Sequence, residues 1–237
     1  MANPRTRELI RQIVISGIVG AALGAALTKS GWLRSHSIFD RNFNHFDYNI
    51  ELNRIQFALI LWVIFSVYWT VASRDSAPSQ SSESKASTAF HQIILNAAIL
   101  LLFIPVPGLT GWFLPQRFHF LVAVGVAIQA AFFLLAVSAR RHLGRNWSAE
   151  VRIGEGHELV RTGPYRLLRH PIYTAMLGMS LGTAIASSQF HALLGIIILL
   201  LAYLRKTRLE ENILRQTFGV AYDDYERHTW SLVPLLF

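Results

Sequence analysis

Two stretches of this sequence combine chemically capable side chains with spacing that brings them together. The first runs Gly156-His157-Glu158-Leu159-Val160-Arg161-Thr162-Gly163-Pro164-Tyr165 and on to Arg169-His170-Pro171-Ile172-Tyr173. Gly163-Pro164 is a turn signal. Pro171 suits the first turn of a helix, where a missing N–H costs nothing, so His170 and Tyr173 are expected at a helix mouth. The plainer alternative is interfacial anchoring, because Tyr favours headgroup depth. The second stretch is Arg205-Lys206-Thr207-Arg208-Leu209-Glu210-Glu211, followed by Phe218-Gly219-Val220-Ala221-Tyr222-Asp223-Asp224-Tyr225. Lys206 and Glu210 are four apart and share one helix face. As a surface ion pair they would contribute only ~0.3–0.5 kcal/mol. Two adjacent carboxylates leaving a helix are also suited to facing a bound cation, and a sulfonium cofactor carrying an amino group qualifies.

The elements that must hold these residues are read from composition. Of 237 residues, 52% are hydrophobic and 15% charged, with a mean hydropathy of +0.36. Typical soluble domains carry about 25% charged residues. These values exclude a disordered chain, a nucleic-acid-binding arm and an ordinary soluble enzyme of this size, and leave an all-α polytopic membrane protein. With no Cys, the chain has no disulfide, thiolate nucleophile or Cys-ligated zinc, and no metal site is expected.

Charge-free apolar runs mark the spans. Ile13 to Leu27 lies between Arg11 and Lys29, a second run is centred on Phe57–Phe65, a third covers Ile93 to Pro107, and a fourth Phe118 to Ala139. The first has a rival reading as a secretory signal. The last charge-free stretch, between Arg169 and Arg205, is too long for one helix, since a bilayer core needs roughly 20 residues. Ser187-Ser188-Gln189 near its middle predicts a hairpin of two short helices, Ile172 to Ala186 and Phe190 to Leu204. That gives about six transmembrane helices.

Residues 1–139 are then four N-terminal spans with a polar low-complexity loop at 77–89. Residues 140–237 form a second unit: a mixed polar loop, the hairpin at 172–204 and a tail. Six spans place both termini on one side. That side receives 17 of the 22 Lys and Arg, against 5 on the other, so both termini and the 140–170 loop are expected in the cytoplasm.

Leu143-Gly144-Arg145-Asn146-Trp147-Ser148, Gly-His-x-Leu-Val, Gly-Pro-Tyr, Arg-His-Pro-x-Tyr, the paired Glu and Phe-Gly-x-x-Tyr-x-x-Tyr occur in that order. The pattern resembles the isoprenylcysteine carboxyl methyltransferase family, with its phospholipid methyltransferase-like relatives, from Leu143 to the C-terminus. The resemblance implies an integral membrane methyltransferase dependent on S-adenosylmethionine (SAM). It also implies a cytoplasmic cofactor pocket and a lipid or prenylated substrate entering from the bilayer. Carried over by position, the cofactor shell is His157, Glu158, Leu159, Val160, Tyr165, His170, Pro171, Ile172, Tyr173 and Glu210. The family's basic residue near the substrate carboxylate falls on Lys206, where Lys offers a point charge rather than a bidentate fork; Arg205 and Arg208 are the neighbouring alternatives. No catalytic residue is assigned.

Two other readings compete. A membrane reductase using NADPH shares a His-Pro-x-Tyr-like element, but the Glu pair and Gly-His-x-Leu-Val favour the methyltransferase. A transporter would place ionisable groups in mid-membrane and often shows internal repeats; these spans carry almost no charge and show no repeat. A soluble-type nucleotide loop is also missing, because Gly154-x-Gly156 lacks a third glycine. The methyl acceptor is left open among a prenylcysteine, a phospholipid, a quinone-like phenol and an isoprenoid acid.

Overall fold

A computed structural model describes residues 48–72, 85–104, 106, 109, 111–115, 118, 120–144 and 159–234. The expected first span, Ile13 to Leu27, lies outside the described residues. The described residues are mainly helical: α1 (Tyr48–Ala72), α2 (Lys85–Leu101), α3 (Phe120–Leu143), a 3₁₀ turn (Gly163–Arg166), α4 (Pro171–Ser187), α5 (Phe190–Phe218) and α6 (Val220–Arg227). Two of these, α3 and α5, are long and apolar enough to cross a membrane; residues 56–72 and 86–101 form shorter apolar helices.

The C-terminal hairpin is present, with boundaries that differ from the sequence reading. α4 starts at Pro171, as that proline's fixed φ favours. It ends at Ser187, and Ser188 closes it in the left-handed region with φ 57°. Gln189 then opens α5, so the turn is only two residues long.

Continuity is the main correction. α5 does not end at Leu204 but runs unbroken for 29 residues to Phe218. At 1.5 Å per residue it is about 43 Å long. Its apolar first half gives way to a charged second half that carries Lys206, Glu210 and Glu211 on one rigid element. Gly219, at φ 52°, turns the chain into α6.

Two smaller corrections concern α2. Residues 85–89, expected in a polar loop, are its first turns. Its last full turn ends at Leu101 rather than at Pro107, where prolines at 105 and 107 in the sequence oppose helix continuation. Backbone bonds from Leu102, Phe103 and Ile104 back to Ile99 and Leu100 tighten its end.

α3 and α4 make the most extensive helix contact. Small residues permit it: a Cβ added at Gly125 would sit 2.5 Å from the Gly182 carbonyl oxygen, and one added at Gly182 would sit 2.5 Å from that of Gly125. Apolar surroundings provide no hydrophobic drive between helices, so close backbone approach and internal hydrogen bonds carry the association. Gln129 Nε2 donates to the Ala58 carbonyl at 2.9 Å, and Trp62 Nε1 donates to Thr183 Oγ1 at 2.9 Å. These bonds tie α1 to α3 and α4, while α2 packs along α5. The arrangement holds the start of α4 beside the charged half of α5.

Candidate active site

The start of α4 is fixed from outside its own helix. The backbone N–H of Arg169 donates to the Trp230 carbonyl at 2.8 Å, and that of His170 to the Ser231 carbonyl at 3.1 Å. Trp230 N–H returns a bond to Leu167. Thr174 Oγ1, one turn into α4, donates to the Leu232 carbonyl, and Leu232 is buried. The segment after α6 thus lies along residues 167–170 and sets the direction in which His170 enters the bundle.

His170 sits between the two carboxylates of α5. Its Nδ1 is 3.3 Å from Glu210 Oε2, and its Nε2 is 3.1 Å from Glu211 Oε1. A neutral imidazole offers one N–H and one lone pair; only the doubly protonated ring can donate on both sides. Burial opposes charge on this ring, but the hydrogen bonds to Glu210 and Glu211 and the charge of both outweigh it. The imidazole therefore titrates above its ordinary value.

The two glutamates differ despite being adjacent. Glu211 Oε1 accepts from Arg169 Nε at 2.9 Å, from His170 and from Ser231 Oγ at 3.0 Å. Arg169 is itself held by the backbone carbonyls of Glu226 and Thr229. Glu211 is therefore an internal brace joining α5, α4 and the segment after α6. Glu210 accepts from the Tyr173 hydroxyl at 2.5 Å and faces His170, with Lys206 adding a favourable charge. Its side chain is 20% exposed, against 12% for Glu211.

Aromatic rings form one wall. His170 and Tyr173 stack at 5.7 Å with an 11° interplanar angle, and Tyr173 stacks on Tyr203 of α5 at 4.6 Å and 14°. Tyr165, in the 3₁₀ turn, is buried; its backbone carbonyl accepts from the Tyr225 hydroxyl at 2.7 Å. Burial first, then the negative surroundings of Tyr225 and Glu210, push the Tyr165 phenol well up. That hydroxyl stays neutral and able to donate.

Of the residues expected from sequence, the structure joins His170, Tyr173 and Glu210 in direct contact, with Tyr165 and Lys206 close enough to interact electrostatically with Glu210. Pro171 and Ile172 lie in the same first turn of α4. Leu159 and Val160 are half-buried and lead into the 3₁₀ turn. His157 and Glu158 lie outside the described residues.

Lys206, expected beside substrate, is 2% exposed and packed within the helices. Arg169, Glu211, Ser231 and Tyr203 were not singled out as site residues. The first stood next to His170 in the quoted motif, and the second was half of the noted pair; nothing in the sequence linked Ser231 or Tyr203 to them. No group of three or more His, Asp or Glu suited to a metal ion occurs among the described residues.

The donor set can be tested against a cationic cofactor. A carboxylate offers about four lone-pair positions. Glu211 takes its three donors all on Oε1, whereas Glu210 meets the Tyr173 hydroxyl on Oε1 and an imidazole nitrogen on Oε2 and is the more exposed of the two side chains. A partly exposed carboxylate of this kind is chemically suited to an amino or sulfonium group.

Residues 120–221 match the family model described as phospholipid methyltransferase. Protein-S-isoprenylcysteine O-methyltransferase A of Arabidopsis thaliana is 30% identical over 132 residues, covering 55% of this chain and 64% of that protein. A nickel-cobalt-cadmium resistance protein of Alcaligenes xylosoxydans xylosoxydans is 36% identical over 97 residues, covering 40% of this chain and 45% of that protein. The chain thus spans less than two thirds of the length of these curated relatives. A solved eukaryotic intramembrane Ras methyltransferase (isoprenylcysteine carboxyl methyltransferase) superposes with a TM-score of 0.52 at 18% identity, covering 99% of this chain and 98% of that one. That likeness shows the fold. The resemblance carried by the sequence motifs is borne out by these matches.

Proposed function

We propose, starting from this kinship with the isoprenylcysteine carboxyl methyltransferases, that the chain is an integral membrane methyltransferase. It uses SAM and methylates the carboxylate of an isoprenylcysteine-like acceptor that enters from the bilayer. The observation that carries the reading is the division of labour between Glu210 and Glu211. One carboxylate braces the frame through its Oε1, and its neighbour, held by His170 and Tyr173 and the more exposed of the two, lies beside the start of α4 within the family-matched segment.

When bound, SAM supplies a methyl group on a positively charged sulfur. Residues for its shell are His157, Glu158, Leu159 and Val160 in the loop, Tyr165, His170 to Tyr173, and Glu210. Glu210 balances the ligand's positive charge. His170 and Tyr173 hold the carboxylate in one orientation, so it is not free to rotate when the ligand leaves or arrives. The Tyr173–Tyr203 stack keeps water from one side, and a site that excludes water strengthens the charge interactions inside it. A carboxylate acceptor is already ionised at neutral pH. No general base is required, in keeping with a cluster whose imidazole is held between two carboxylates rather than left free to take a proton.

The same reading places six helices across the membrane, with both termini and the 140–170 loop in the cytoplasm. Calorimetry on the detergent-purified full chain tests it. Saturable binding of SAM or S-adenosylhomocysteine is expected, together with a 14-Da gain on an S-prenylated cysteine acid incubated with protein and SAM. Binding of NADPH with no binding of either SAM compound would replace this reading with the reductase.

A further inference from the structure

The tail that follows α6 reaches the paired glutamates through Ser231, which holds His170 by two routes. Its backbone carbonyl accepts the His170 N–H at 3.1 Å. Its hydroxyl donates at 3.0 Å to Glu211 Oε1, the same oxygen that lies 3.1 Å from His170 Nε2. His170, Glu211 and Ser231 therefore close a ring of hydrogen bonds drawn from the start of α4, from α5 and from the tail. Ser231 lies beyond the end of the family-matched residues 120–221.

The tail is held in place without that hydroxyl. Leu168 and Trp230 form a parallel bridge, with the Trp230 N–H donating to the Leu167 carbonyl at 3.0 Å and the Arg169 N–H to the Trp230 carbonyl at 2.8 Å. Leu232 is fully buried, and its carbonyl accepts from Thr174 Oγ1 at 2.5 Å. None of these bonds uses Ser231 Oγ, so docking of the tail does not by itself account for a hydroxyl aimed at a carboxylate.

Three donors converge on Glu211 Oε1: Arg169 Nε, His170 Nε2 and Ser231 Oγ. A carboxylate oxygen offers about two lone-pair sites, so the three share them. Arg–carboxylate pairs are strongest when bidentate, but Arg169 reaches Glu211 through Nε, while its Nη1 is taken by the carbonyls of Glu226 and Thr229. Ser231 is the neutral donor that competes with the imidazole for Oε1. On its other side the imidazole makes its longer carboxylate contact, 3.3 Å from Nδ1 to Glu210 Oε2. A ring drawn further toward Glu211 lengthens that contact. Glu210 then loses the group that fixes its Oε2 and keeps the Tyr173 bond on Oε1.

We propose that Ser231 is a positioning residue for the cofactor carboxylate: by sharing Glu211 Oε1 it holds the His170 ring between the two glutamates, and so keeps Glu210 in its binding orientation. The proposal rests on the methyltransferase reading above, in which Glu210 faces the cofactor. It deepens that reading by extending the binding machinery into the tail, past the matched segment.

Calorimetry with S-adenosylhomocysteine on the detergent-purified full chain tests this, using the parent, Ser231→Ala, Ser231→Thr, Glu210→Gln, and Glu210→Gln combined with Ser231→Ala. A hydrogen bond to a charged group lost at the ligand itself corresponds to roughly tenfold or more; acting through two groups, Ser231→Ala should raise the dissociation constant about three- to tenfold. Ser231→Thr keeps the hydroxyl and should bind within about twofold of the parent. On top of Glu210→Gln, Ser231→Ala should add less than about twofold, because the group it positions is already gone and coupled positions are not additive. A hydroxyl that merely supports the fold gives the same factor in both backgrounds.

Parent-like affinity in Ser231→Ala overturns the proposal. So does an equal loss in both backgrounds, a lack of recovery in Ser231→Thr, or failure of Ser231→Ala to fold, which assigns the hydroxyl to the frame. If the parent binds S-adenosylhomocysteine, each of these results falls on Ser231 alone. If the parent binds neither it nor SAM, the methyltransferase reading fails and the positioning role fails with it.

Discussion

Glu210 and Glu211 are adjacent, both acidic and both near His170, yet their surroundings assign them different work. Glu211 is tied to Arg169, His170 and Ser231, so its loss is a loss of frame. Glu211→Gln should lower the thermal midpoint, in line with about 1.5–3 kcal/mol for a hydrogen bond to a charged group, and disturb ligand binding only indirectly. Glu210→Gln should leave the midpoint closer to the parent and weaken SAM binding roughly ten- to a hundredfold. Calorimetry and thermal denaturation on both variants distinguish these outcomes; the reverse pattern would exchange the roles.

His170 adds a dependence on pH. Burial disfavours its charge, but the paired carboxylates raise its folded pKa above the ordinary 6.5. The stability it contributes is fully present below about 6.5 and is lost as pH rises through the folded value. The thermal midpoint should therefore fall on the alkaline side of 6.5. In His170→Gln that limb should flatten, which a midpoint-against-pH series would reveal. A limb of equal slope in both proteins would place the titrating group elsewhere.

The helices repeat this contrast between what neighbours in sequence suggest and what distant contacts decide. The α4–α5 hairpin was legible because a charge-free stretch too long for one helix is interrupted by Ser187-Ser188-Gln189. The end of α5 was not legible. The change from apolar to charged residues at Arg205 resembles the exit from a helix, but charge composition reports solvent and not backbone. Lys206 and Thr207 are buried by α5's neighbours, so the helix continues past the apolar stretch.

The α3–α4 crossing was likewise invisible in composition, since Gly125 and Gly182 are unremarkable until their backbones are seen facing one another. Gly182→Ala tests it. The added Cβ has no room beside the Gly125 carbonyl and the Gln129 backbone nitrogen at 2.7 Å, both rigid backbone atoms. Overpacking of this kind costs about 1–3 kcal/mol. The thermal midpoint should drop, and His170 should shift with α4, lowering SAM affinity as a secondary effect. An unchanged midpoint would show that the two helices separate without penalty.

Across the whole molecule, the site depends on which end of each helix reaches which side of the membrane. A hairpin with a two-residue turn is antiparallel, so the start of α4 and the charged half of α5 emerge on the same face. That geometry is what lets His170 meet Glu210 and Glu211, 40 and 41 positions away in sequence. The proposed six-span topology would place seventeen Lys and Arg on the side of the hairpin's open end and five on the other, and by that excess the open end is expected in the cytoplasm.

The chain contains no Cys, so single-cysteine labelling needs no prior background removal. Ser148→Cys lies in the polar loop before α4, and Ser37→Cys lies between the first two apolar runs. A membrane-impermeant thiol reagent added to intact cells should label position 37 and leave position 148 unlabelled until the membrane is permeabilised. Both should react after permeabilisation, which controls for accessibility. Labelling of 148 but not 37 in intact cells would invert the topology. The cluster of His170, Tyr173 and Glu210 would then open away from the cytoplasm, out of reach of a cofactor made there.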